Sequence, residues 1–137
     1  MSHLVERLTE LRRHLEHLRE IRPRVTGAEI LRRDLSLHND VLFSLQVICQ
    51  LVIDISGELS SRNNQRFGDY TESVRNLAAR PEFSATLVNT LSRLPGFRNV
   101  LIHEYVTLDF QQVVAALDRL EPVEEFAEIV RRLELEA

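Results

Sequence analysis

Arg98, Asn99, His103 and Tyr105 fall within GFRNVLIHEY, residues 96–105, a segment whose other positions are mostly apolar. A guanidinium grips the outer oxygens of a phosphodiester and stabilises the charge of its transition state. An imidazole titrates near neutrality and can shuttle a proton, typically for about 10²–10⁴-fold in rate. Together they suffice for metal-free RNA cleavage, in which the 2′-hydroxyl attacks the neighbouring phosphate. The same residues admit a structural reading, with His103 a core histidine bonded to Asn99 or Gln50 and Arg98 paired to Asp54. In a chain of this composition, R-x4-H-x-Y arises by chance roughly once in a hundred sequences, a signal of modest strength.

On one continuous helix, Asn99 and His103 are neighbours one turn apart and Arg98 and Tyr105 two turns apart, whereas Arg98 and His103 point about 140° away from each other. Asn99 is then placed to orient His103. A single helix brings guanidinium and imidazole to one small group only if the arginine wraps round; two crossing copies in a two-fold dimer would face them into one cleft.

The elements that must hold this segment are helical. Leu4, Leu8, Leu11, Leu15 and Leu18 alternate spacings of four and three, which predicts a helix over residues 2–21 with one narrow apolar stripe, packing on one partner element or on another subunit. Pro23 ends it. Thr26 is the expected N-cap of a second helix from residue 27, with Glu29 reaching back, a pause near Asp34 and a continuation from Ser36 to about Leu59. This long element is apolar on nearly all sides except for a row of Asn39, Gln46, Gln50 and Asp54 within about 80° of arc, which calls for partners. Asp69 and Glu72 cap a helix over about 70–79, and Pro81 stands where another can begin, with Phe83, Leu87, Leu91 and Leu94 as its buried face. Pro95-Gly96 should interrupt the chain before a fresh helix from Phe97 to Tyr105, Asp109 should cap the last helix, and Pro122 should kink or divide it. The expectation is one all-α domain over 1–137 with five or six helices.

With those elements in place, RNVLIHEY resembles the R-x4-H-x-Y signature of the HepT toxins, a branch of the HEPN superfamily, and SLQVICQLVIDI resembles the family's long central helix. The likeness runs from about residue 4 to residue 130. It implies a HEPN-like helical bundle, a homodimer, and an endoribonuclease that needs neither metal nor cofactor, with Arg98 and His103 catalytic and Asn99 the polar residue after the arginine. It also implies a nucleotidyltransferase antitoxin (MNT or MntA) that silences the toxin by transferring AMP to Tyr105. Asp54, the last of the polar row, is a candidate supporting partner for Arg98. The chief alternative is a non-enzymatic helical module whose motif serves as docking surface and modification target of the nucleotidyltransferase; it would need neither the arginine nor the histidine.

The remaining sequence narrows the classes further. All 17 basic residues are Arg, against 21 acids, so the net charge of −4 predicts no general nucleic-acid-binding surface. The charge is uneven: residues 1–35 hold eight Arg and six acids, and residues 121–137 hold six Glu and two Arg, which leaves room for a local phosphate site. The single Cys49 lies in an apolar run and forms no internal disulfide, as expected of a cytoplasmic protein. Ser44, Gln46, Gln50 and Asp54 make that run too polar for a membrane span, and the charged N-terminal stretch is unlike a secretory signal. His14 and His17 sit three apart on the first helix with no third ligand in view and are read as a solvated face.

Overall fold

The leucine stripe is spent inside the chain. In the computed structural model, which describes residues 2–136, helix α1 (Leu4–Ile21) buries Leu4, Leu8, Leu11, Leu15, Leu18 and Ile21. The first and last residues of the expected 1–137 domain lie outside the described ones. The stripe packs on α3 (Leu35–Arg62) and α8 (Glu121–Glu136) of the same chain, not on another subunit. Each such leucine contributes about 1.5–3 kcal/mol by leaving water.

Between these elements lie α2 (Ala28–Arg33), α4 (Tyr70–Arg75), α5 (Ala85–Leu91), α6 (Leu94–His103) and α7 (Phe110–Leu117), with 3-10 turns at Arg22–Arg24, Asn76–Ala79 and Tyr105–Thr107. No strand occurs among the described residues. Eight α-helices among the described residues replace the expected five or six because two elements are divided. Asp34 takes an extended conformation (φ −102°, ψ 96°), and its carboxylate accepts the Leu37 N–H at 3.1 Å, so it caps a new helix where only a pause was expected. Pro122 stands in the first turn of α8, where its missing N–H costs no hydrogen bond, and so divides α7 from α8.

Two local expectations are corrected. Gly27, not Thr26, is the N-cap of α2, with no side-chain cap; the Thr26 hydroxyl stands one position too early. Pro95 and Gly96 do not precede a helix but open α6, again because a first turn tolerates proline, and Leu94 consequently belongs to α6 and not to α5. The Asp69 cap holds: it accepts the Glu72 N–H at 2.8 Å while Glu72 reaches back to the Gly68 N–H at 2.9 Å. Asp109 likewise caps α7, accepting the Gln111 N–H at 2.9 Å.

Helix α3 is the hub, touched by α1, α2, α4 and α6. It is long and apolar enough to cross a bilayer by composition, yet Val41, Leu42, Leu45, Ile48, Val52, Ile55 and Leu59 are buried under its neighbours. Its polar row does not face the core. Asn39 is exposed and Gln46, Gln50 and Asp54 are half-buried, in an outward arc shared with Phe43, which is 63% exposed, and with half-buried Val47.

The uneven charge also finds its use in the fold. The basic N-terminal helix lies beside the acidic C-terminal one: Arg12 meets Glu128 at 3.0 Å and Arg19 pairs with Glu124. Arg22 grips Asp118 through two bonds of 2.7 and 3.0 Å, and Arg62 reaches Glu134 at 2.6 Å. These arginines are matched within the chain, which removes much of the expected local phosphate site. Being exposed to solvent screening, such pairs contribute little individually.

Candidate functional site

Helix α6 lies on α3 and against α4, and it carries three of the four motif residues on its outward side. Arg98 is half-buried; its Nη1 donates to Asn99 Oδ1 at 3.3 Å, and its guanidinium carbon stands 6.0 Å from the centre of the Tyr70 ring at the start of α4. Stacking on an aromatic face holds a guanidinium in place without using up its N–H groups. Tyr70 was not among the residues singled out from sequence.

His103 is the last residue of α6, exposed, and without a hydrogen bond among the described residues. The structural reading fails for it: it is not a core histidine and bonds neither Asn99 nor Gln50. Asn99 is also exposed, and its side-chain oxygen serves Arg98, so the expected orientation of His103 by Asn99 is absent from this chain. Asp54 accepts a 2.8 Å bond from Gln50 and forms no ion pair with Arg98 among the described residues; two half-buried polar groups of the α3 row satisfy one another instead.

Tyr105 does not lie on the helix with Arg98, contrary to the wheel. Helix α6 stops at His103, Glu104 leaves helical geometry at φ −114° and ψ 32°, and Tyr105 opens the 3-10 turn that follows. The turn swings the ring toward the start of α3, where its hydroxyl lies 2.9 Å from Nε2 of His38. His38 is buried, and its Nδ1 lies 2.9 Å from the carbonyl oxygen of Leu31. A carbonyl only accepts, so Nδ1 carries a proton, and the tautomer with its single proton there accepts at Nε2 from the Tyr105 O–H. Tyr105 remains 48% exposed.

Nearby groups are quieter. Burial pushes the Cys49 thiol up to about 12, the charge of Arg98 being a smaller opposing influence, so this cysteine is an inert core residue. His14 and His17 are not a freely solvated face: His14 Nδ1 is 3.0 Å from Ser44 Oγ and His17 Nε2 is 2.7 Å from Asp40, both on α3. Burial of its ring lowers the pKa of His14, with Glu10 opposing. No group of three metal-ligating side chains occurs among the described residues. A groove of about 570 Å³ bounded by Leu45, Cys49, Phe97 and Ala116 contains none of the four motif residues, which sit on open surface.

Solved HEPN toxin structures share this arrangement of helices around a long central one. The solved tri-AMPylated Shewanella oneidensis HEPN toxin in complex with MNT antitoxin superposes with a TM-score of 0.83 at 21% identity, over 96% of this chain and 99% of that one. A second toxin–antitoxin structure, with AMP-PNP, gives 0.82 at 20% identity, over 95% and 99%. The family model described as "Ribonuclease HepT-like" matches residues 11–130, and the chain belongs to that family. A curated relative, the mRNA nuclease HepT of Shewanella oneidensis, is 23% identical over 132 residues, covering 93% of this chain and 96% of the relative.

Proposed function

We propose that this protein is the toxin of a toxin–antitoxin pair, a metal-independent endoribonuclease that works as a homodimer in the cytoplasm and is silenced by AMP transfer to Tyr105. The observation that carries the reading is the state of the two motif side chains among the described residues: Arg98 is steadied by a ring and an amide while its charge stays unpaired, and His103 is exposed and uncommitted. A helix-terminal histidine with no structural duty, beside a presented guanidinium, suits a phosphodiester arriving from solvent.

In the proposed reaction the 2′-oxygen forms a bond to phosphorus and the bond from phosphorus to the 5′-oxygen breaks, giving a 2′,3′-cyclic phosphate and a free 5′-hydroxyl. His103 moves the proton, and Arg98 holds the oxygens on which negative charge accumulates. Because the two residues diverge on α6, the second copy supplies the missing half of each site. The outward arc of α3, where exposed Phe43 and half-buried Val47 stand beside Gln50 and Asp54 bonded to one another, mixes apolar and polar groups as homodimer interfaces do. The relatives' names support the partner: a complex with MNT antitoxin and an AMPylated toxin are what those structures contain.

The test is incubation of purified wild type and His103→Ala with RNA in the presence of a chelator. Wild type should leave cyclic-phosphate ends and the variant should leave none; intact RNA with both would defeat the proposal and favour a purely docking role for the motif.

A further inference from the structure

The two tyrosines of the chain are almost equally exposed, Tyr105 at 48% and Tyr70 at 49%, yet their hydroxyls stand in different chemistry. The Tyr70 side chain makes no hydrogen bond among the described residues and lies beside Arg98, whereas Tyr105 Oη is 2.9 Å from His38 Nε2. His38 comes from the first turn of α3, 67 positions away, and is fixed on several sides. The Leu31 carbonyl holds its Nδ1–H, the Phe110 ring stands 5.3 Å away in an edge-on arrangement, and the Tyr105 ring itself is nearly perpendicular at 5.5 Å. Beyond Phe110, Arg32 covers that ring's other surroundings at 5.3 Å. A buried imidazole locked in one tautomer, with its free lone pair aimed at a surface hydroxyl, is the arrangement that activates an oxygen nucleophile.

We propose that His38 is the general base for adenylyl transfer to Tyr105, an inference that rests on the reading of Tyr105 as the site of AMP addition. In the step, Tyr105 Oη forms a bond to the α-phosphorus of ATP, the bond from that phosphorus to the pyrophosphate oxygen breaks, and pyrophosphate departs. The hydroxyl proton passes to His38 Nε2, giving an imidazolium whose Nδ1–H stays bonded to Leu31, and it leaves to water once the modified ring turns outward. The nucleotidyltransferase brings the nucleotide; the toxin brings its own base. The same contact explains selectivity, because Tyr70 offers equal access with no proton acceptor.

The experiment is a time course of intact mass for the full-length protein with a HepT-partner nucleotidyltransferase and ATP. His38→Gln keeps an acceptor for the Tyr105 hydroxyl but cannot take the proton, and His38→Asn keeps a donor for Leu31. Both should slow AMP addition at least about tenfold, within the usual range of general-base effects, while retaining the wild-type melting temperature within a few degrees. Placing 3,5-difluorotyrosine at position 105 of His38→Gln, with its more readily ionised hydroxyl, should restore most of the lost rate, which a role in positioning alone does not predict. Tyr70→Phe should be modified like wild type and Tyr105→Phe not at all. Equal rates for wild type and both His38 variants, or no rescue by the fluorinated ring, would overturn the inference and leave AMP addition to Tyr105 standing; no mass gain by wild type would end both.

Discussion

His38, in the first turn of α3, and His103, at the end of α6, are opposites in every respect that matters to their chemistry. His38 is buried with both ring nitrogens engaged, one by a carbonyl and one by a phenol. His103 is exposed at a helix terminus with neither engaged among the described residues. The contrast teaches that exposure and engagement need not go together with a motif: its histidine faces solvent, while the histidine outside it is tied to the chain and bonded to a single hydroxyl. A substitution at each should therefore fail differently.

The largest difference should appear in RNA cleavage. His103→Ala should lose about 10²–10⁴-fold in rate, measured on a labelled RNA, with a melting temperature unchanged because an exposed, unbonded side chain carries within about 0.5 kcal/mol of stability. His38→Ala should show the reverse profile in urea unfolding, a loss of about 1–3 kcal/mol from the stranded Leu31 carbonyl and the emptied site, while RNA cleavage by the folded fraction persists. A His103→Ala protein that melts early, or a His38→Ala protein as stable as wild type, would erase the contrast.

Smaller effects probe the frame around the two histidines. Tyr70 supports the Arg98 guanidinium that we propose takes part in cleavage, so Tyr70→Ala should reduce cleavage by only about two- to fivefold, the size of an exposed cation–π contact of about 0.5–1 kcal/mol. Acid should loosen the contacts that Glu128 makes at the seam between α1 and α8. Arg131 foremost, and Arg12 with it, hold Glu128 down to about 2, below its ordinary 4.5. A carboxylate with a depressed folded-state pKa adds stability above its unfolded value and loses it as pH falls, so this contribution should fade between about 4.5 and 2, and Glu128→Gln should flatten that part of a pH–melting curve. At the smallest end, Cys49 should resist alkylation at neutral pH in the native state and react only on unfolding, since its thiol is buried and raised to about 12.

The difference between the two histidines was only half readable in the sequence. The α1 stripe, the hub helix, the capping residues Asp69 and Asp109 and the motif spacing depend on local periodicity and nearest neighbours, which sequence displays directly. His103 is visible because its partners in the motif are five positions or fewer away. His38 is not, because its two bonds reach seven residues back to Leu31 and 67 forward to Tyr105, and nothing in LSLHNDVLF marks that convergence. The end of α6 was equally hidden: IHEYVT holds no glycine or proline to stop a helix, so continuous helical geometry placed Tyr105 beside Arg98 when the chain in fact leaves the helix at Glu104. The proposed partnership of Asp54 with Arg98 failed for a related reason. A wheel predicts which residues share an arc, as Gln50 and Asp54 do, better than which residues of different helices meet.

The account stands or falls on whether Arg98 of one protomer and His103 of the other build each cleavage site. Arg98→Ala and His103→Ala should each be inactive alone, and when equal amounts are unfolded together and refolded, half of the dimers are mixed and each mixed dimer holds one intact site. About one quarter of wild-type RNA cleavage should return. A mixture as inactive as its two parents, under conditions where subunit exchange is verified by mass, would contradict the shared site.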